Sequence, residues 1–135
     1  MNSAPLTPSP VLGEVIVDQL IKLGIKDAVI APGSRNAPLT MALWRAYEKG
    51  LIELHTRIDE RSAAFLALGI AKATGLPTPV ICTSGSAAAN FYPALLEAYH
   101  SGEPLIAITA DRPARLWQTG ANQTTQQVNM FPAEI

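Results

Sequence analysis

The chain has 135 residues, 48% of them hydrophobic and 16% charged, and its ten basic and eleven acidic side chains give a net charge of −1. This length allows one domain with a buried core, and the near-neutral charge excludes a chain-wide electrostatic attraction to nucleic acid or to an anionic membrane. Because average domains carry roughly 25% charged residues, the shortage of charge indicates surface that is buried against something else.

The number of cysteines and the composition of residues 1–10 indicate the cellular compartment of the protein. The single cysteine, Cys82, excludes a disulfide within the chain and any multi-cysteine metal site. Residues 1–10 show neither the basic nor the apolar segment of a secretory leader, and no apolar run approaches the roughly 18 residues of a membrane span. We therefore expect a soluble cytoplasmic protein that binds neither nucleic acid nor a membrane.

Amphipathic helices alternate with short apolar strands along the chain. We predict that Ser9 caps the first helix, with Pro10 at its first helical position, and that Gly24 ends it. Four strands separated by helices predict an α/β fold with a doubly wound, mostly parallel sheet and helices on both faces. In chain order, the predicted elements are a helix to residue 24, strand 27–31, helix 37–49, strand 51–57, helix 59–74, strand 79–83, helix 86–100 and strand 104–109.

Two segments depart from ordinary amphipathic patterning. Residues 63–73 and 87–99 have almost no polar face, and their small residues permit close approach of another helix, which predicts packing against another subunit or domain. Residues 111–131 are polar, contain four glutamines and show no helical or strand period, which is typical of a functional loop.

Ligands of α/β sheets bind beyond the carboxyl ends of the strands, so the loops there are the candidate sites. The first, residues 32–36, places a glycine, a hydroxyl, the guanidinium of Arg35 and the amide of Asn36 just before a helix N-terminus, which suits a carboxylate or phosphate. The alternative is a capping turn with a solvated arginine. The fourth, residues 109–113, carries Arg112, which is either paired with Asp111 at the surface or joins Arg35 in binding a substrate with several carboxylates.

The second loop delivers Asp59 and Glu60 to the start of a helix. On composition alone, Asp59 is an N-cap and Glu60 a favourable first-turn charge. The alternative is that Glu60 faces a dry cleft, where burial raises its pKa and suits it to proton exchange with a heterocycle. Gly75 is predicted to end this helix.

The third loop, residues 83–86, lacks the spacing of a serine-nucleophile elbow and of the known phosphate-binding loops. Its small residues instead let a flat ligand approach the backbone. His55 and His100 lack an acidic or metal-binding partner at a suitable spacing, so we assign them structural roles. Cys82, inside an apolar strand, is predicted to be inert packing.

Taken together, residues 59–75, 83–90 and 107–131 resemble the N-terminal, pyrimidine-binding domain of thiamine-diphosphate enzymes of the acetolactate-synthase and pyruvate-oxidase type. Within that superfamily, four motifs are similar to the menaquinone-pathway synthases that make 2-succinyl-5-enolpyruvyl-6-hydroxy-3-cyclohexene-1-carboxylate. These motifs are residues 31–40, 59–61, 110–113 and 120–123.

The resemblance implies a transferase (carboligase) that decarboxylates 2-oxoglutarate and adds the resulting succinyl group to isochorismate. It implies that Glu60 is catalytic: it hydrogen-bonds the aminopyrimidine ring of thiamine diphosphate and favours the tautomer that removes the thiazolium C2 proton. The other residues implied at the site are Thr83, Ser84 and Gly85 for the cofactor, and Ser34, Arg35, Arg112, Asn122 and Gln123 for the substrates.

The resemblance also implies parts that this sequence lacks. The family holds the diphosphate and Mg²⁺ in a C-terminal domain with a Gly-Asp-Gly motif, which is not found in residues 1–135. We therefore expect an incomplete pyrimidine-binding domain, without its diphosphate-binding domain, without metal ligands of its own and inactive alone. Within a complete protein, a homodimer or homotetramer is expected. The alternatives are another thiamine-diphosphate decarboxylase or carboligase, or a non-catalytic binding or assembly domain.

Overall fold

The fold is an α/β sandwich, which a computed structural model describes for residues 8–135. The expected lack of a leader concerns mainly residues 1–7, which lie outside the described range. Among residues 8–135, no helix combines the length and apolar composition needed to cross a bilayer. The elements are α1 (Pro8–Lys22), β1 (Asp27–Ile30), α2 (Ala37–Glu48), β2 (Glu53–Thr56), α3 (Glu60–Thr74), β3 (Thr78–Cys82), α4 (Ser86–Ala89), α5 (Tyr92–Ser101), β4 (Leu105–Thr109) and a 3₁₀ turn, η1 (Ala114–Leu116).

The four strands form one parallel sheet in the order β2-β1-β3-β4. The chain runs outward from β1 to β2, returns past β1 to β3, and continues to β4, so the direction of winding reverses between β1 and β3. Open α/β sheets bind ligands at this reversal, just beyond the carboxyl ends of the strands. The predicted α/β class and parallel, doubly wound sheet are confirmed.

Both faces of the sheet are covered, as the side-chain alternation of β1 requires. Val29 points to the face packed by α3, α4 and α5, which we call the alanine face because most helix residues buried there are alanines. Ala28 and Ile30 point to the opposite face, packed by α1 and α2, which we call the aliphatic face because leucine and isoleucine are frequent among its buried side chains.

Two helix predictions were wrong in detail. Ser9 is not an N-cap, because α1 already includes Pro8 and Ser9. Proline is tolerated there, since the first N–H groups of a helix have no partner within it. The helix predicted over residues 86–100 is two helices, α4 and α5, separated by Asn90 and Phe91. Pro93 explains the break, because its ring has no N–H to donate and clashes with the carbonyl four residues earlier.

The predicted loop over residues 111–131 is confirmed, with only the short η1 turn inside it. The strand ends differ from the predictions by one or two residues.

The apolar character of residues 63–73 is explained in part by the chain's own core, because Ala63, Ala64 and Ala67 are fully buried on the alanine face. Phe65 and Tyr99 nevertheless remain exposed on the outer sides of α3 and α5. The subunit interface there stays a prediction.

Candidate functional site

The loops that follow β1 and β3 touch at the reversal of the sheet. A Cβ added at Gly33 would lie 2.6 Å from the Cβ of Thr83, closer than real Cβ atoms come, so the contact requires glycine at position 33. This contact fixes the loop after β1 (residues 31–36, the β1 loop) directly against the loop after β3 (residues 83–85, the β3 loop).

The β1 loop is held from within by Asn36, which is only 3% exposed. Its Oδ1 accepts from the Gly33 backbone N–H (2.7 Å) and its Nδ2 donates to the Ala31 carbonyl (3.0 Å). Ser34 and Arg35 therefore project into solvent from a braced turn. The sequence predicts the Asn36 amide among the groups of the anion site, but this amide faces inward and braces the loop instead.

A pocket of about 260 Å³ opens beside the β1 loop on the aliphatic face. Arg35 and Asp111 supply its charged groups, and α1, α2 and the end of β4 supply an apolar base. Arg112 does not line this pocket, so the predicted joint anion site of Arg35 and Arg112 is not formed there within the described residues. The lining residues are Ser9, Leu12, Gly13, Ile16, Arg35, Asn36, Pro38, Leu39, Ile81, Ile108, Thr109, Ala110 and Asp111.

The loop after β2 starts α3 as predicted. The Asp59 carboxylate accepts from both the backbone N–H and the hydroxyl of Ser62, each at 2.7 Å. These hydrogen bonds, that of the hydroxyl first, hold the pKa of Asp59 below its usual value. Gly75, in the left-handed region at φ 68°, ends the helix.

Glu60, in the first turn of α3, is half-buried and has no hydrogen-bond or ion-pair partner among residues 8–135. Its carboxylate lies near the thiol of Cys82 at the end of β3. Burial, and secondarily the charge of Glu60, raise the pKa of Cys82 to about 12, so the thiol stays protonated. The predicted packing role of Cys82 agrees with its full burial.

Within the β3 loop, the three predicted cofactor residues differ in what their polar groups do. The Ser84 hydroxyl donates to the Gln123 carbonyl (2.8 Å), and the Gly85 backbone N–H donates to Oε1 of Gln127 (2.8 Å). Thr83 is 6% exposed, and its hydroxyl has no partner among the described residues. Of these groups, only the Thr83 hydroxyl is buried and left free for a ligand.

The loop after β4 (residues 110–131, the β4 loop) carries the remaining candidates. Asn122 and Gln123 are exposed, and Arg112 is half-buried with its Nε buried and unpartnered within the described chain. Asp111 does not pair with the Arg112 guanidinium, as one alternative predicted; instead, it accepts from the Arg112 backbone N–H (2.6 Å). A buried guanidinium nitrogen without a partner is costly, so a ligand oxygen there is favoured.

The two histidines have different surroundings. His55 does have an acidic partner, contrary to the sequence-based expectation: its Nε2 lies 2.9 Å from Oδ1 of Asp27 on the neighbouring strand. His100 lies on α5 against the Tyr99 ring.

Over residues 8–135, no three His, Cys, Asp or Glu side chains cluster as a metal site would require.

Comparison of the sequence with known proteins places this chain in a family. Residues 11–130 match the family model described as "Thiamine pyrophosphate enzyme, N-terminal TPP binding domain". The chain is 55% identical over 130 residues to 2-succinyl-5-enolpyruvyl-6-hydroxy-3-cyclohexene-1-carboxylate synthase of Saccharopolyspora erythraea, covering 96% of this chain and 23% of that protein.

Further relatives of the same name are similar. Identity is 52% to that of Thermobifida fusca, over 96% of this chain and 23% of the relative. It is 54% to that of Actinobacillus succinogenes, over 87% of this chain and 21% of the relative. The chain thus spans about a quarter of the length of these relatives or less. The resemblance drawn from the motifs is confirmed: the chain belongs to the family of N-terminal, thiamine-pyrophosphate-binding domains of thiamine pyrophosphate enzymes.

Proposed function

We propose that this chain acts as the N-terminal, pyrimidine-binding domain of a thiamine-diphosphate-dependent synthase in menaquinone biosynthesis. The complete enzyme would decarboxylate 2-oxoglutarate and transfer the succinyl group to isochorismate. The observation that carries the proposal is the half-buried, unpartnered carboxylate of Glu60, which opens α3 beside the end of β3. The names of the relatives give the product, 2-succinyl-5-enolpyruvyl-6-hydroxy-3-cyclohexene-1-carboxylate, and the two substrates are those that the motif resemblance implies.

The described residues fit the aminopyrimidine ring of the cofactor. Such a ring offers donors and acceptors along one edge and an apolar face. Glu60 provides an acceptor that no group among residues 8–135 uses, and Thr83 provides a buried hydroxyl without a protein partner. The small side chains of the β3 loop leave its backbone approachable by a flat group.

Glu60 would act by holding a proton at the ring nitrogen. Its carboxylate accepts a hydrogen bond from that nitrogen and so favours the protonated, imino form of the ring. Cys82 helps by staying neutral, because a thiolate at this position would repel the carboxylate. When bound, thiamine diphosphate supplies the nucleophilic carbon that cleaves 2-oxo acids beside their carbonyl group.

Arg35 and Arg112 would bind the carboxylates of the two substrates. Arg35 stands on the turn braced by Asn36, and its planar guanidinium suits a carboxylate. Arg112 would direct its unpartnered Nε at a second carboxylate. Ser34, Asn122 and Gln123 would add hydrogen bonds to the same ligands.

The metal, the diphosphate and the subunit contacts involve regions outside the site described above. No acidic cluster among the described residues fits Mg²⁺, so we assign the metal and the diphosphate to a C-terminal domain. We further propose a cytoplasmic homodimer or homotetramer in which the exposed apolar sides of α3 and α5 meet another subunit, without a nucleic-acid or membrane partner.

The test is made in the complete protein, with 2-oxoglutarate and isochorismate as substrates. Arg35→Ala and Arg112→Ala should each lower kcat/KM for isochorismate about 10- to 100-fold, because each removes a charge-assisted hydrogen bond. Arg115→Ala, at an exposed arginine of the η1 turn, is the matched control and should keep wild-type kinetics.

Two outcomes would contradict the proposal. Unchanged isochorismate kinetics in both arginine variants would rule out the assigned acceptor and favour another thiamine-diphosphate carboligase. Failure of the wild-type protein to turn over any 2-oxo acid in the presence of thiamine diphosphate and Mg²⁺ would favour a non-catalytic binding or assembly domain.

A further inference from the structure

Gln127 spans two loops that are far apart in sequence. Its Oε1 accepts from the backbone N–H of Gly85 in the β3 loop (2.8 Å), and its Nε2 donates to the carbonyl of Ala110 at the end of β4 (2.9 Å). Both bonds are part-buried. Each partner is a backbone group that secondary structure leaves unpaired, so the side chain satisfies a donor and an acceptor at once.

The same contact region fixes the backbone of Gln123. Its carbonyl accepts from the Ser84 hydroxyl (2.8 Å), and its φ of 54° lies in the left-handed region that non-glycine residues rarely adopt. Gly85, at φ 85°, packs so closely that an added Cβ would lie 3.1 Å from the Gln123 Cα. The conformation of Gln123 therefore depends on the β4 loop staying seated on the β3 loop.

We propose that Gln127 is a positioning residue for the substrate site: it clamps the β4 loop onto the β3 loop and so sets the direction in which Gln123 presents its side chain. This inference rests on the function proposed above, in which Gln123 contacts substrate. Glutamine suits the position because the clamp needs one acceptor and one donor on a single planar group. A carboxylate retains only the acceptor, and a thioether offers no donor and only a weak acceptor.

The experiment compares Gln127→Met with Gln126→Met in the complete protein. Gln126 is the matched control because it is the adjacent, exposed glutamine, and its amide donates only to the nearby Val128 carbonyl (3.2 Å). We expect Gln127→Met to lower kcat/KM for isochorismate about tenfold, the effect of losing two neutral hydrogen bonds. Gln126→Met should stay within about twofold of wild type.

A second variant separates positioning from a general loss of structure. Gln127→Glu keeps the acceptor for Gly85 but faces the Ala110 carbonyl with a carboxylate oxygen. As the pH falls from about 8 to about 4, through the ordinary range of a glutamate carboxyl, the group takes up a proton and regains a donor. The Ala110 carbonyl beside it raises its pKa, and the Gly85 N–H lowers it. The ratio of its kcat/KM to that of wild type, measured at each pH, should therefore rise as the pH falls.

Hydrogen exchange at the Gly85 amide gives a readout that needs neither cofactor nor substrate. Exchange should accelerate in Gln127→Met and stay unchanged in Gln126→Met. Unchanged exchange at Gly85, kinetics of Gln127→Met equal to those of Gln126→Met, or a pH-independent ratio for Gln127→Glu would each overturn the inference. If the wild-type protein is inactive with the proposed substrates, the proposed function fails, and the exchange result still decides whether the clamp exists.

Discussion

The two faces of the sheet are packed by different means, and each suits a different part of the candidate site. On the alanine face, the buried helix residues are mainly alanines around one large side chain, Phe91. The distance between packed elements depends on the side chains at the contact, so alanines let α3 approach closely. On the aliphatic face, larger side chains such as Leu39 and Leu43 fill the core, and α1 meets α2 at a glycine: a Cβ added at Gly13 would lie 2.9 Å from the Pro38 carbonyl oxygen. The alanine face carries Glu60 beside β3, whereas the aliphatic face carries the pocket next to Arg35.

The largest effect is expected from Glu60→Gln, which removes the negative charge that α3, on the alanine face, holds beside the end of β3. The complete protein should keep its fold, because the neutral amide is isosteric and the first turn is partly exposed, but lose about 10²- to 10⁴-fold in activity. Exchange of the cofactor C2 proton, followed by NMR, should slow by the same order. Glu97→Gln, at an exposed glutamate of α5, is the control. Exchange near the wild-type rate in Glu60→Gln would contradict the role assigned to Glu60.

The sequence was sufficient to predict features that depend on local patterning. Alternating helices and apolar strands predicted the parallel sheet, and Asp59 and Gly75 were correctly predicted to start and end α3. These features share one property: each is determined by residues within a few positions of one another. For Glu60, the small and apolar residues after it offered a buried carboxylate only as an alternative; its catalytic role was implied by the family resemblance and stays a prediction.

Contacts between distant segments could not be predicted in this way. Asn36 and Gln127 brace the loops through backbone groups, a role that any asparagine or glutamine in a polar loop could have. His55 pairs with Asp27 only because the register of β1 and β2 brings them together on one face. Arg35 and Arg112 both follow strands that end at the same edge of the sheet, but only Arg35 lines the pocket, because the position of Arg112 depends on the fold of the β4 loop.

The packing contrast itself can be tested by opposite volume changes on the two faces. Leu43→Ala on the aliphatic face should cost about 2–5 kcal/mol by leaving a cavity. Ala67→Leu on the alanine face should cost about 1–3 kcal/mol by overpacking, and it should also lower activity because it displaces α3 and with it Glu60. Both residues are fully buried. Urea unfolding and kcat measure the two effects.

Ala133→Leu is the control for the overpacking variant, since Ala133 is exposed and lies outside the helices that pack on the sheet. It should leave both stability and activity near wild type. Equal activity in Ala67→Leu and Leu43→Ala, after correction for unfolded protein, would show that close packing on the alanine face is not what positions Glu60.

The smallest effect concerns the N-termini of the two helices that follow β1 and β2, namely α2 and α3. Asn36 precedes α2 but turns its amide inward to brace the β1 loop, whereas Asp59 caps α3 through Ser62. Because the folded-state pKa of Asp59 is lowered, its cap stabilises the protein fully above the unfolded-state pKa, and this contribution is lost as the pH falls through the folded-state value. Asp59→Ala should therefore lower the urea midpoint relative to the wild type at pH ~7 and have little effect near pH ~2. Asp59→Asn keeps an uncharged acceptor, so the difference between its midpoint and that of Asp59→Ala should not change with pH. A midpoint difference between Asp59→Ala and wild type that persists undiminished at low pH would mean that packing around Ser62, rather than the ionised cap, stabilises the start of α3.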